Sequence, residues 1–248
     1  LMVLGGSRMI LAFAGAKPIA KQDSPELYRL VENLAIRTGI PTPKVYIIND
    51  ESLNAFATGF HPNNAVVAVT TGILHKLDKL ELEAVLAHEF GHILNRDTRV
   101  MLIAVTMVGL IQIFADIIIR TAFRSMRHGS RGGDRKGGGE GIVLLIAFAV
   151  WIIGMIGSVL VQMGISRRRE YLADAESAYL TRNPLSLASA LEKIGADARV
   201  EVLDGKRSVA TLCIADPLEQ KITSVDKLIG LFHTHPPLKE RIRVLKEM

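Results

Sequence analysis

Two long apolar segments constrain the fold of this 248-residue chain more than any other feature of its sequence. They run from Val100 to Ile119 and from Ile142 to Ile165, and as helices they would be about 30 and 36 Å long. These lengths match the hydrocarbon thickness of a bilayer, so the sequence predicts a two-helix transmembrane hairpin over residues 100–165. A pair of buried core helices is the alternative, but a domain this small has little core to surround them.

A charged, glycine-rich loop separates the two segments, and the first segment itself carries Gln112 and Asp116. An acid at membrane depth usually faces protein or water, so a hairpin that inserts only partly is a second alternative. Arginine and lysine are equally frequent on the two sides of the hairpin. The distribution of basic residues therefore does not show which side of the membrane the loop of the hairpin faces.

The net charge and the single cysteine limit the partners and the kind of metal site that this chain can have. The net charge is +5, but the basic residues cluster beside the apolar segments, where lipid headgroups explain them, and no aromatic residues alternate with them. We therefore expect no nucleic-acid partner. Cys213 is the one cysteine, so a cysteine-based zinc site is excluded and any metal must be held by histidine and carboxylate.

The stretch "LDKLELEAVLAHEFGHILNRD" predicts a helix that begins with a capping box at Asp78 and Glu81. His88 and His92 are four residues apart, so their imidazoles share one face of this helix and can bind one ion. Glu89 is offset by about 100° around the axis, which places its carboxylate beside the metal. The stretch then runs, without a proline or glycine stop, into the first apolar segment.

A catalytic zinc needs a third protein ligand, and "EYLAD" offers Glu170 and Asp174, again four residues apart. We expect Glu170 to bind the metal and Asp174 to accept the N–H of a ligand histidine, His88, from the second shell of the site. A solvated face paired with the preceding arginines is the alternative.

Three further features could complete a hydrolytic site. Glu89 could act as general base, and a histidine of the loop "FHTHPP", either His233 or His235, could stabilise an oxyanion. The stretch "NAFATG" has the composition of an edge strand, so residues 54–56 (Asn54, Ala55 and Phe56) could bind an extended peptide by strand addition. An ordinary hairpin strand and an exposed loop histidine are the alternatives.

These motifs, with "GAKPI", "AVVAVTTGIL", "SRRREYLADAES" and "THPPLKERI" in that order, resemble the M48 family of membrane zinc metallopeptidases, and its HtpX-type proteases most of all. The resemblance implies an α+β, mainly helical gluzincin-type domain with a small sheet, interrupted by the transmembrane hairpin. It implies one Zn²⁺ held by His88, His92 and Glu170, with Glu89 as general base. It also favours His235 as the transition-state histidine.

The resemblance further implies a metalloendopeptidase in the inner (plasma) membrane, with its catalytic domain in the cytoplasm and misfolded or damaged membrane proteins as substrates. Residues 1–22 would then be the remnant of an N-terminal membrane segment and a linker. Residues 23–99 and 166–248 would form the two parts of the catalytic domain. A non-catalytic zinc-binding scaffold or adaptor in the membrane is the alternative function.

Overall fold

The computed structural model describes residues 2–103, 167–196 and 237–248, together with single positions between 106 and 153. Within them, helices pack around a small mixed sheet, as the sequence predicts. The predicted hairpin at residues 100–165 lies largely outside the described residues. In the part of the chain that the structure describes, no helix combines the length and the apolar character needed to cross a bilayer.

The sheet has four strands, β1 (Lys17–Pro18), β2 (Lys44–Ile48), β3 (Ala55–Thr58) and β4 (Val66–Thr70). Their order is β1-β2-β4-β3; β2 and β4 are parallel, and the two outer pairings are antiparallel. The apolar stretches "KVYIIN", "SLNAFATGF" and "NAVVAVTTG" predict the three longer strands, and no stretch of the sequence predicts β1. The order places β3 at an edge of the sheet.

The helices follow local signals in the sequence. Asp78 accepts hydrogen bonds from the backbone N–H groups of the first turn and Glu81 bonds back to the N–H of Asp78, which confirms the predicted capping box. Gly39 ends the second helix in the left-handed conformation that glycine adopts at little cost. The helices are α1 (Met2–Phe13), α2 (Pro25–Thr38), α3 (Thr71–Lys76), α4 (Lys79–Leu94), α5 (Arg167–Thr181), α6 (Pro184–Ala196) and α7 (Leu238–Glu247).

Both faces of the sheet are covered. Val67 and Val69 of β4 point into the main core, which is shared with α2, α4 and α6. Phe56 and Ala68 face the other way, into a second cluster formed with α1 and Met101. Because α4 packs directly on β3 in the main core, the edge of the sheet lies next to the helix that carries the two histidines.

Helix α4 ends earlier than the sequence predicts. It stops before the apolar segment, because Asn95 caps the C-terminus and Arg96 adopts a left-handed conformation with φ of 58°. The Asn95 side chain also donates a hydrogen bond to the Gly91 carbonyl at 2.9 Å. A new helical segment begins at residue 97, so the chain turns sharply just after the second histidine.

Helices α4 and α5 pack antiparallel and very closely. Ser177 of α5 donates a buried hydrogen bond to the Ala84 carbonyl at 2.7 Å. Two turns further along α4, Gly91 faces Ala173 so closely that a Cβ built on Gly91 would lie 3.1 Å from the Ala173 Cα. The missing side chain of Gly91 is therefore what lets α5 approach the histidine helix.

This close crossing predicts opposite outcomes for two glycine-to-alanine changes. Gly195→Ala should raise the unfolding free energy by up to about 1 kcal/mol, since alanine favours helix and, among the described residues, its Cβ meets only the flexible end of Leu238. Gly91→Ala brings the same gain in helix propensity, but its Cβ presses on the backbone of Ala173. Such overpacking typically lowers the unfolding free energy by about 1–3 kcal/mol. Denaturant unfolding of the metal-free variants measures both. Equal stabilisation by the two changes would show that the crossing tolerates a methyl group.

Candidate metal centre

The two histidines of α4 lie one helical turn apart and face the same point. Their Nε2 atoms are 3.2 Å apart, and their rings are perpendicular, with 4.8 Å between centroids. His88 is fully buried and His92 is 7% exposed. The i, i+4 spacing on a helix accounts for this geometry, which the sequence predicts.

Helix α5 brings a carboxylate to the same point. Glu170 Oε2 lies 3.8 Å from His88 Nε2, and Glu170 Oε1 lies 3.5 Å from His92 Nε2. Tetrahedral coordination by nitrogen and oxygen at about 2.0–2.2 Å requires donor atoms roughly 3.3–3.6 Å apart. The three donor atoms lie within 4.8 Å of one another and are buried. The donor set therefore fits a small divalent metal ion with little adjustment.

The outer nitrogen of His88 is held by a carboxylate and an arginine. His88 Nδ1 lies 2.9 Å from Asp174 Oδ1, in line with the second-shell arrangement expected from the sequence. Arg241 of α7 donates two hydrogen bonds to Asp174, at 2.7 and 2.8 Å, and its Nη1 lies 3.3 Å from Glu170 Oε2. The Asp174 carboxylate beside Nδ1 favours the tautomer protonated there, whose Nε2 lone pair faces the metal position.

Charge compensation keeps Asp174 ionised. Burial raises the pKa of this carboxyl, but Arg241 and His88 outweigh that effect and hold the pKa at about 2. Arg241 is itself fully buried, and the pKa of its guanidinium is raised by Asp174 and Glu170 despite desolvation. Two carboxylates and one guanidinium thus form a compact buried ion cluster behind the metal position.

The outer nitrogen of His92 also meets a carboxylate. Its Nδ1 lies 3.2 Å from Asp97 Oδ2, and Arg169 Nη1 donates to Asp97 Oδ1 at 3.0 Å. Burial lowers the pKa of His92, but the Asp97 hydrogen bond and the charges of Glu170 and Glu89 raise it to about 9. A pKa raised in this way favours the doubly protonated ring while no metal is bound, and a cation that binds Nε2 has to displace the proton there.

Glu89 stands beside the donor set and is not part of it. It is 2% exposed; burial raises its pKa, and the imidazoles of His88 and His92 partly offset this. The backbone of Ala57 in β3 also lowers the pKa of Glu89, by a smaller effect. Glu89 thus links the metal position to the edge of the sheet.

The structure places the other predicted site residues as follows. Ala55 and Phe56 lie in β3, which among the described strands pairs with β4 alone, and both side chains are buried. Asn54 precedes the strand, and its side-chain oxygen accepts the N–H of Ala55 at 3.0 Å. His233 and His235 lie outside the described residues.

Sequence reasoning missed Asp97, Arg169 and Arg241. A signal for Arg241 was present, because it occupies an inward position of the amphipathic pattern formed by Leu238 and Leu245. Asp97 gave no comparable signal, since its approach to His92 depends on the left-handed turn just before it.

Two histidines and a glutamate on antiparallel helices could hold a metal ion, and with a second glutamate beside them they have the arrangement expected of an HExxH metalloprotease. The chain belongs to peptidase family M48, whose family model matches residues 21–248. The protease HtpX homolog of Bacteroides fragilis is 41% identical over 241 residues, covering 97% of this chain and 74% of that protein. The protease HtpX homolog of Tropheryma whipplei is 42% identical over 241 residues, with coverages of 97% and 78%.

One solved structure shows the same fold at low sequence identity. The crystal structure of S. mikatae Ste24p matches 98% of this chain with a TM-score of 0.51 and 20% identity. This chain spans 57% of the length of that chain. The match supports the mainly helical architecture with its small sheet, while the bacterial relatives identify the chain as an HtpX-type metalloprotease.

Proposed function

We propose that the chain is a membrane-associated zinc endopeptidase that hydrolyses peptide bonds of misfolded or damaged membrane proteins. The observation that carries the proposal is the buried convergence of His88, His92 and Glu170 beside a separate carboxylate, Glu89. Metal binding alone needs the first three residues. A fourth, acidic residue at this position is what hydrolysis requires.

The donor set favours one zinc ion per chain. Two imidazoles and one carboxylate at near-tetrahedral spacing are typical of catalytic zinc sites, which leave the fourth position open. Mg²⁺ and Ca²⁺ prefer six or more oxygen ligands, so this nitrogen-rich site selects against them. A cation held here supplies Lewis acidity, which lowers the pKa of water and polarises a peptide carbonyl.

Glu89 is proposed as the general base and, later, the general acid. It accepts a proton from the attacking water and passes it to the leaving amine. Its burial supports this role, because a raised pKa brings the carboxyl closer to the working pH. His235 is proposed as the donor that stabilises the oxyanion.

The edge of β3 that faces away from β4 is proposed to bind the substrate in an extended conformation. Asn54, Ala55 and Phe56 are proposed as the binding stretch, and Ala57, whose backbone acts on the Glu89 carboxylate, follows them directly in β3. The Phe56 side chain points into the second core cluster, so its contribution would be backbone alone. Recognition would then depend on an accessible main chain.

The membrane assignment rests on the apolar segments. Residues 100–165 are proposed to form the transmembrane hairpin, with the lipid bilayer as a partner. The flanking catalytic parts, residues 23–99 and 166–248, would lie on the cytoplasmic side of the plasma membrane. Polypeptides at the membrane surface would be the substrates.

Metal removal tests the proposed function. We expect dialysis of the purified chain against 1,10-phenanthroline to abolish cleavage of casein, because Glu89 alone cannot polarise the scissile carbonyl. One equivalent of Zn²⁺ should restore cleavage, and excess Mg²⁺ should not. Chelator-resistant cleavage by the purified chain would contradict the proposal.

A further inference from the structure

The structure contains a second histidine–carboxylate–arginine chain that differs from the one through Asp174. It runs from His92 through Asp97 to Arg169, with heavy-atom distances of 3.2 and 3.0 Å. Asp97 is 4% exposed, while the Arg169 side chain is 36% exposed. An aspartate this deeply buried requires compensation, and these two contacts supply it.

Asp97 is brought to His92 by the turn after α4. The left-handed residue Arg96 reverses the chain, so that Asp97 begins the next helical segment facing back toward the last turn of α4. A left-handed conformation costs a non-glycine residue roughly 1 kcal/mol or more, so it persists only where surrounding contacts favour it. This turn brings Asp97 into contact with His92, and that contact is one that favours it.

Arg169 connects this turn to the other ligand helix. It immediately precedes Glu170 in α5, and its Nη1 reaches the Asp97 Oδ1. The ion pair thus joins the end of the segment that carries His92 to the start of the helix that carries Glu170. The two points it joins are 72 residues apart in the chain.

We propose that Asp97 is a positioning residue for the metal ligand His92 and that Arg169 holds Asp97 in place. As hydrogen-bond acceptor for Nδ1, Asp97 selects the tautomer whose Nε2 lone pair faces the metal position. Arg169 acts only through Asp97, and this ion pair fixes the spacing between His92 and Glu170. The inference rests on the metal site of the proposed function but not on proteolysis.

The test measures affinity for Co²⁺, which replaces Zn²⁺ and has a visible absorption spectrum. By competition with a chelator, the dissociation constant should rise about 10- to 100-fold in Asp97→Ala and less in Asp97→Asn, which keeps an acceptor oxygen. Arg169→Gln should weaken Co²⁺ binding by a smaller factor than Asp97→Ala. Arg169→Lys, which keeps the positive charge, should bind Co²⁺ with most of the parental affinity. The exposed pair of Lys21 and Glu32 on the protein surface supplies the control variant Glu32→Gln, which should bind Co²⁺ like the parent.

A double variant separates positioning from general stability. Because Arg169 acts on affinity through Asp97, adding Arg169→Gln to Asp97→Ala should change the dissociation constant no further. The Co²⁺ absorption bands should shift in the Asp97 variants, which a loss of fold stability alone would not cause. If Asp97→Ala does not fold, Asp97→Asn carries the same comparison.

Parental Co²⁺ affinity and an unchanged spectrum in the Asp97 variants would overturn the inference, and so would additive effects in the double variant. Casein cleavage is measured separately. If the parent binds Co²⁺ but cleaves nothing after reconstitution with Zn²⁺, the proposed function fails while the positioning role is still decided by the affinities.

Discussion

Glu89→Gln should lower the rate of casein cleavage by about 100- to 10,000-fold and leave the zinc content at one equivalent. The amide keeps the shape of the side chain but cannot accept a proton from water. Because the three donor atoms come from His88, His92 and Glu170, metal affinity should change little. Cleavage assays and metal analysis of the same preparation measure both quantities.

Glu83→Gln is the matched control, on the same helix. Its side chain is 15% exposed and pairs with Arg37 at 2.8 Å, away from the donor set. It should cleave casein at nearly the parental rate. Equal cleavage by Glu89→Gln and the parent would instead favour the non-catalytic scaffold, since a scaffold needs the zinc ligands but not this acid.

Arg241→Met should destabilise the fold more than Gly91→Ala does, lowering the unfolding free energy by about 3–5 kcal/mol. The guanidinium is fully buried and makes two hydrogen bonds to Asp174, with Glu170 close by. Methionine fills much of the space but leaves two buried carboxylates without their cation. Denaturant unfolding of the metal-free chain measures the loss.

The neighbouring Arg243→Met is the control, since Arg243 forms an exposed pair with Glu240 and Glu247 on the same helix. Its unfolding free energy should stay close to that of the parent. Arg241→Lys should recover only part of the loss, because one ammonium cannot reproduce the two parallel hydrogen bonds to Asp174. A parental unfolding curve for Arg241→Met would show that the buried ion cluster adds nothing to stability.

The sequence predicts those parts of the fold and site that depend on local spacing. Helix periodicity brings His88 and His92 to one face, and the capping box marks the start of α4 at Asp78. The mixed character of the domain and its three longer strands also follow from the sequence. Each of these features is encoded within a few consecutive residues.

Features that depend on long-range packing could not be predicted. The strand order places β4 between β2 and β3, and no local pattern specifies that insertion. The burial of Arg241 depends on Asp174 and Glu170, carboxylates that lie far earlier in the chain. Asp97 reaches His92 only because Arg96 adopts a left-handed conformation. A residue with a side chain such as arginine disfavours that conformation, so the sequence does not indicate it.

If the substrate binds at β3 as proposed, the position of this strand has a consequence for which polypeptides the enzyme can cleave. A sheet edge offers hydrogen bonds only to a main chain whose own amides are not already engaged. Helices and paired strands could not bind there, whatever their side chains. A polypeptide would become a substrate only once its local secondary structure is lost. Selectivity of this kind responds to conformation more than to residue identity.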